Sequence, residues 1–181
     1  MAHVLLTPAP YHVLSYGTLL GTEVFHTFIN SILSFKVLER PQFAILQRAV
    51  FPAYFGIQSA APVLLALTYP GRKNLLGVPS GLVGVFHPTN RWGVLVPLGT
   101  VLVTGLVNLV YLLPETNKVT ALRREQELKD GKASHEKGVQ SEEMTALNKK
   151  FGQLHGISSL ANLITVIATV VYGINLSARI V

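Results

Sequence analysis

The sequence predicts an all-α integral membrane protein, a four-helix bundle with a cytoplasmic helical hairpin between its third and fourth spans. Three observations carry that prediction. Only 13% of the residues are charged, against about 25% in an ordinary soluble domain. The mean hydropathy is +0.42. Four stretches, at about 11–35, 52–70, 92–113 and 155–176, reach the roughly 20 apolar residues that a bilayer crossing requires. In lipid the backbone must satisfy itself, so a span is a helix or a barrel strand, and no alternating barrel pattern is present. The 181 residues therefore read as a single four-span domain. The chain has no cysteine, which excludes a disulfide framework, a thiolate metal site and a cysteine nucleophile.

Each element follows from local chemistry. Span one contains one formal charge, Glu23; the other three contain no Asp, Glu, Lys or Arg. Pro52 suits the first turn of span two, where its missing N–H is harmless, and Tyr69-Pro70-Gly71 closes that span. Pro62 predicts a kink within it. Phe43, Leu46 and Val50 recur at helical spacing in the 36–50 link, as a short interfacial helix or an amphipathic connector would. Glycines and prolines break the apolar run 71–90, which is expected at the interface or folded back over the end of the bundle. Asn90 is placed to cap span three, and Pro114 marks a break or kink at its exit. The polar segment 114–154 reads as two helices, Thr116 to Lys132 and a second opened by Ser141-Glu142-Glu143, with Gly131 and Gly138 bracketing the turn.

Charge sets the orientation. Eleven of the fifteen Lys and Arg residues lie in the 36–51 and 114–154 loops, and the other four, Arg72, Lys73, Arg91 and Arg179, lie on the side of the termini. The positive-inside rule puts the loops in the cytoplasm and both termini in the lumen or exterior. Without a presequence, the expected residence is the endoplasmic reticulum or a later secretory membrane, with a mitochondrial membrane as the alternative. The cations sit between apolar spans, so nucleic acid is not an expected partner.

Polar groups inside spans cost free energy unless they find partners, and so they mark the candidate site. Span one offers Glu23, His26 and Asn30 on one face; span two Tyr54 and Gln58; span three Thr104 and Asn108; span four His155, Ser158 or Ser159, Asn162 and Thr165. Counting ~1.5 Å per residue from the cytoplasmic ends, Asn30 and Asn108 lie at about 8 Å, Gln58 and Asn162 at about 10 Å and His26 at about 14 Å. The luminal half offers little polarity. The predicted pocket in the cytoplasmic half is thus Glu23, His26, Asn30, Tyr54, Gln58, Thr104, Asn108, His155, Ser159 and Asn162. The alternative is interhelical hydrogen-bond glue, which needs no cavity. Gly17 and Gly21 form a small-xxx-small pair suited to close packing, in the bundle or between protomers of a homo-oligomer.

Phe51-Pro52-Ala53-Tyr54-Phe55, preceded by Phe35-Lys36 and by Phe43 through Gln47, resembles the first half of the transmembrane protein 205-like family. Leu154-His155-Gly156-Ile157-Ser158-Ser159-Leu160-Ala161-Asn162-Leu163 resembles its last span, and Asn108 with Pro114 and Thr116 its third. The resemblance implies a four-helix, multi-pass protein of eukaryotic membranes without a settled activity. Handling of metal-containing compounds through sulfur, discussed for some members, finds no cysteine here and only Met1 and Met144.

Among functions, an accessory, binding or scaffold component comes first, with membrane lipid as a partner and a protein docked at the 114–154 hairpin. The alternative is a small oligomeric transporter or channel. An enzyme is not expected: no nucleophile–base–acid set or phosphate loop is present. No metal or cofactor is expected either, since His26 and His155 differ in depth by roughly 13 Å, too far for one planar cofactor.

Overall fold

The computed structural model describes residues 5–71 and 79–178, and these form helices, with no strand among the described residues. The first rod comprises α1 (Pro8–Val24), a π turn (Phe25–Asn30) and α2 (Ser31–Val37). Next come α3 (Arg40–Leu67) and the short α4 (Gly81–Val85). The third rod opens with a 3₁₀ turn (Pro88–Asn90) and a π turn (Arg91–Leu95). It continues as α5 (Val96–Val107), a second π turn (Asn108–Leu112) and α6 (Leu113–Asp130). The last rod is α7 (Glu142–Ser177).

Three of these helices are long and apolar enough to cross a membrane: Arg40–Leu67, Pro88–Asp130 and Glu142–Ser177. In their most apolar windows only 33%, 33% and 28% of the residues are buried inside the protein. A helix that is apolar all round yet mostly unburied needs a nonaqueous surrounding. Val103, Val110, Ile157, Ile167 and Ile174 are among the exposed side chains. This is the build of a membrane protein. The first rod, expected as a fourth span, is not among the three; it carries His12, Glu23, His26 and Asn30 among its apolar residues.

Proline explains two of the π turns. A proline ring clashes with the carbonyl four residues earlier and offers it no N–H. For Pro97 and Pro114 those carbonyls belong to Gly93 and Val110, and each lies inside a π turn. The looser turn absorbs the clash, so of the break or kink expected at Pro114 there is no break, and the third rod runs on into the polar segment. Pro52 also departs from expectation. It lies inside α3, which begins at Arg40 behind a capping box of Glu39 and Gln42, so the 40–50 link is the first part of the span helix. Asn90 likewise makes no side-chain cap; its amide donates to the Gly84 carbonyl at 2.7 Å.

The main core lies toward the end of the bundle that carries Tyr69 and Tyr172, where Leu19, Leu65, Val94, Leu98, Val101 and Leu176 pack with them. Val85 of α4 joins this core, so the described part of the 71–90 run folds back over the bundle; Arg72 to Val78 lie outside the described residues. A smaller cluster, Tyr54, Phe55 and Leu113, lies at the other end. Two helix backbones approach closely at Gly105, where a Cβ would stand 3.0 Å from the Gln58 carbonyl carbon. Gly17 and Gly21 serve no such packing within the chain. Both are exposed, and a Cβ on either would meet nothing within 4 Å.

The polar hairpin forms much as its caps predict. Gly131 ends α6 in the left-handed conformation (φ 61°), which glycine adopts without steric cost. Ser141 caps α7 by accepting from the Met144 N–H at 3.1 Å, with Glu142 and Glu143 in the first turn. Arg123 ties the arms together. It donates to the Asn148 side chain at 2.8 Å and to Ser134 Oγ at 3.1 Å, and its guanidinium lies 4.4 Å from the centre of the Phe151 ring. Val119 and Met144 are buried between the arms.

Candidate functional site

The polar residues of the rods meet inside the bundle and bond to one another. Tyr54 and Gln58, one turn apart on α3, both reach the Asn162 amide on α7. The Tyr54 hydroxyl donates to Asn162 Oδ1 at 2.6 Å, and Gln58 Nε2 donates to the same oxygen at 2.9 Å and to the Tyr54 oxygen at 3.1 Å. Asn162 Nδ2 donates to Thr27 Oγ1 of the first π turn at 2.9 Å, and Thr27 lies 3.2 Å from the Tyr54 hydroxyl. Three rods are therefore joined through one amide.

Shorter links continue along α7. Thr169 donates to Glu23 Oε1 at 3.1 Å. Thr165 and Thr104 share a hydrogen bond of 2.6 Å, and Ser158 donates to Asn108 Oδ1 at 2.6 Å. Tyr172, Thr169, Thr165, Asn162 and Ser158 recur at steps of three and four, so they form one stripe of α7 that touches each of the other rods. Glu23, Gln58 and Asn108 are fully buried. Several acceptors and donors stay unpartnered there, namely Glu23 Oε2, Gln58 Oε1 and Asn108 Nδ2.

Of the ten predicted residues, the structure brings Tyr54, Gln58 and Asn162 into one network and joins Glu23, Thr104 and Asn108 to α7 by separate bonds. Asn30 and His26 bond to each other within the first rod, at 3.1 Å. His155 and Ser159 stand outside. Both are exposed, and His155 stacks on Phe151 with a 6° angle between the rings. Ser158, one residue along, takes the inward position.

The other end of the bundle is more polar than its sequence suggests. His12 is 1% exposed and lies between Thr68 Oγ1, 3.0 Å from Nδ1, and the Tyr172 hydroxyl, 2.7 Å from Nε2. Thr68 spends its own proton on the Leu64 carbonyl at 2.6 Å, so it accepts from Nδ1–H. Nε2 must then accept from Tyr172. The chain from Tyr172 through His12 and Thr68 to Leu64 has one direction throughout and clamps α7, α1 and α3. The only sequence signal for it is a histidine placed where a span begins.

Among the described residues no group of three or more His, Asp or Glu side chains is placed to hold a metal ion. What the arrangement can do chemically is bind, orient and hold helices in register.

Fold and site together define a helical membrane-type protein with a hydrogen-bonded polar interior and a stapled polar hairpin. Residues 14–125 match the family described as a domain of unknown function, DUF4149. The chain is 34% identical over 171 residues to "Xanthocillin biosynthesis cluster protein D" of Aspergillus fumigatus, covering 94% of this chain and 90% of that protein. This chain belongs to the DUF4149 family. No solved structure matches it.

Proposed function

We propose that the chain is a multi-pass accessory membrane protein, a binding or scaffold component that supports a biosynthetic assembly without carrying out its chemistry. The first rod is the fourth crossing: residues 8–37 span roughly 45 Å at ~1.5 Å per residue, enough for a bilayer. Both termini face the lumen, and the hairpin faces the cytoplasm. The endoplasmic reticulum or a later secretory membrane is its residence. The resemblance to the transmembrane protein 205-like family fits this build, and the biosynthesis-cluster name of the Aspergillus relative supplies the setting.

One observation carries the scaffold function: the hairpin is ordered before any partner arrives. Arg123 holds Asn148, Ser134 and Phe151 at once. A preorganised surface loses less entropy when a protein docks on it. The test is genetic and chemical together. Deleting the gene should lower product yield while every pathway intermediate still turns over in extracts, and Arg123→Ala should reproduce the loss. Accumulation of one substrate that the purified protein then converts would make it an enzyme.

A second function is favoured by a specific observation. The polar stripe of α7, with His12 and Glu23, runs through most of the length of the bundle, as a small transporter or channel would require. Its test is solute or proton flux in proteoliposomes, with Asn162→Leu expected to abolish it.

A further inference from the structure

The hairpin-side ends of the helices can be levelled against one another. α3 and α7 run in the same direction, since Tyr54 bonds Asn162 near their middles while Thr68 and Tyr172 share His12 at the far end. Eleven residues before Tyr54 and Asn162 stand Phe43 and Phe151. The Phe43 ring meets Phe35 at 5.4 Å between centroids, and Phe151 carries the Arg123 guanidinium 4.4 Å from its centre. Phe35, Phe43, Arg123 and Phe151 therefore mark one level on all four rods.

Cations gather about that level. Lys36 follows Phe35, and Lys149 and Lys150 precede Phe151. Arg48 and Lys118 stand ~7.5 Å toward the apolar spans, close enough for long side chains to reach back, and Arg40 ~4.5 Å on the other side. All six are exposed. The same band has two carboxylates, Glu39 and Glu115, and Glu39 belongs to the capping box of α3. The hairpin beyond it, residues 121–148, has five Lys and Arg against six Asp and Glu. The positive charge of this face is thus concentrated in one layer.

Arg40 adds geometry to charge. Its guanidinium lies 4.4 Å from the centre of the Phe35 ring, stacked as Arg123 is on Phe151. Arg123 spends its donors on Asn148 and Ser134. Among the described residues nothing accepts from Arg40, so its fork of N–H groups is held in place and unspent. Such a fork matches paired phosphate oxygens.

We propose that this rim binds anionic phospholipid of the cytoplasmic leaflet, with Arg40 forking onto a lipid phosphate and Lys36 beside it. Headgroups fill a layer of roughly 5–8 Å outside the hydrocarbon on each face, which is the layer these side chains reach. A zwitterionic headgroup brings a cation of its own, so the excess charge of the rim selects a net-negative lipid. The inference rests on the membrane placement proposed above and needs no partner at the hairpin.

The test uses the full chain in nanodiscs of mixed phosphatidylcholine and phosphatidylserine, with one or the other lipid spin-labelled on its chain. The fraction of label slowed by the protein gives the relative association. Phosphatidylserine should associate about fivefold more strongly than phosphatidylcholine, the factor expected from one well-placed cation. Lys36→Gln combined with Arg40→Gln should bring that ratio close to one, and Arg40→Lys, which keeps the charge and loses the fork, should fall between. Arg124→Gln, Lys129→Gln and Lys137→Gln together remove charge from the hairpin and should leave the ratio unchanged. Equal association of the two lipids, a ratio untouched by the Lys36 and Arg40 pair, or an equal loss in the hairpin variant would overturn the proposal. Inorganic phosphate exchanged for chloride at constant ionic strength should not displace the label; displacement would make the rim a site for free phosphate and overturn it too. Failure of the membrane placement reads differently, since neither lipid label would then be slowed.

Discussion

Asn162 spends its side chain on three partners: the Tyr54 hydroxyl, the Gln58 amide and the Thr27 hydroxyl. Its replacement by Leu leaves those groups to find one another in an apolar interior. Asn162→Leu should therefore lower bundle stability by about 0.6–2 kcal/mol, read from the unfolding midpoint in mixed micelles. An unchanged midpoint would mean that the amide holds nothing. The His12 clamp invites a double-mutant cycle. His12→Phe and Tyr172→Phe should be coupled by about 0.6 kcal/mol, and at most by ~1.7. Strict additivity would show that the bond at 2.7 Å adds nothing. At this scale the sequence was partly legible. Gln58 and Asn162 were readable because counting along the helices places them at one depth, and Tyr54 because it lies one turn from Gln58 on the same face. Thr27 was not, because the π turn admits an extra residue and turns both His26 and Thr27 inward. The inward choice between Ser158 and Ser159 depends on a rotation that periodicity alone leaves open.

Among the elements, the hairpin has a pH dependence that can be worked out. Glu127 lies in the polar extension of α6, outside the apolar span. Partial burial pushes its carboxyl up, but bonds from the Ser134 side chain and N–H, with the charges of Arg123 and His135, outweigh that and hold it below the ordinary carboxylate range. The N–H bond is 2.7 Å long. A depressed folded-state value stabilises the fold above the ordinary carboxylate range and is lost as pH falls through the lowered value. Amide protection factors in 127–141, corrected for the intrinsic exchange rate, should therefore fall on acidification below that range, and Glu127→Gln should flatten the profile. The hairpin's ends were legible in Gly131 and in Ser141-Glu142-Glu143, since capping is local chemistry. Its staple was not, because Arg123 lies far in sequence from Asn148 and Phe151. Close approach at Gly105 gives a further expectation: Gly105→Val should force α5 from α3 and destabilise by about 1–3 kcal/mol, whereas Gly17→Val should leave the isolated chain's stability unchanged, since nothing stands near an added Cβ there.

For the molecule as a whole, composition made the class legible and the polar interior decided the rest. Spans two to four have no charges and are long helices in the structure. The first rod carries His12, Glu23 and Thr27, which bond to α3 and its C-cap or to α7, and the same residues that make it informative lower its claim to be a span. Its membrane placement is tested by a topology measurement. Tags at either terminus should be protected from the cytosol in selectively permeabilised cells, and a tag at Gly131 should be accessible. The reverse pattern would invert the eleven-to-four cation bias.

A π turn holds one residue more than the α turn it replaces, so each can be viewed as an insertion that the helix has swallowed without rotating either flank. The chain's tolerance of shortening should then differ from rod to rod. Removing one exposed residue from the first π turn, Phe28 for instance, lets the rod close into a continuous α-helix with Glu23 and Ser34 on their original faces. Removing Val110 from the turn before Pro114 cannot end so smoothly, because the proline ring would again press on a carbonyl four residues back. Length variation among relatives should accordingly gather at 25–30 and avoid 108–112, wherever a proline follows.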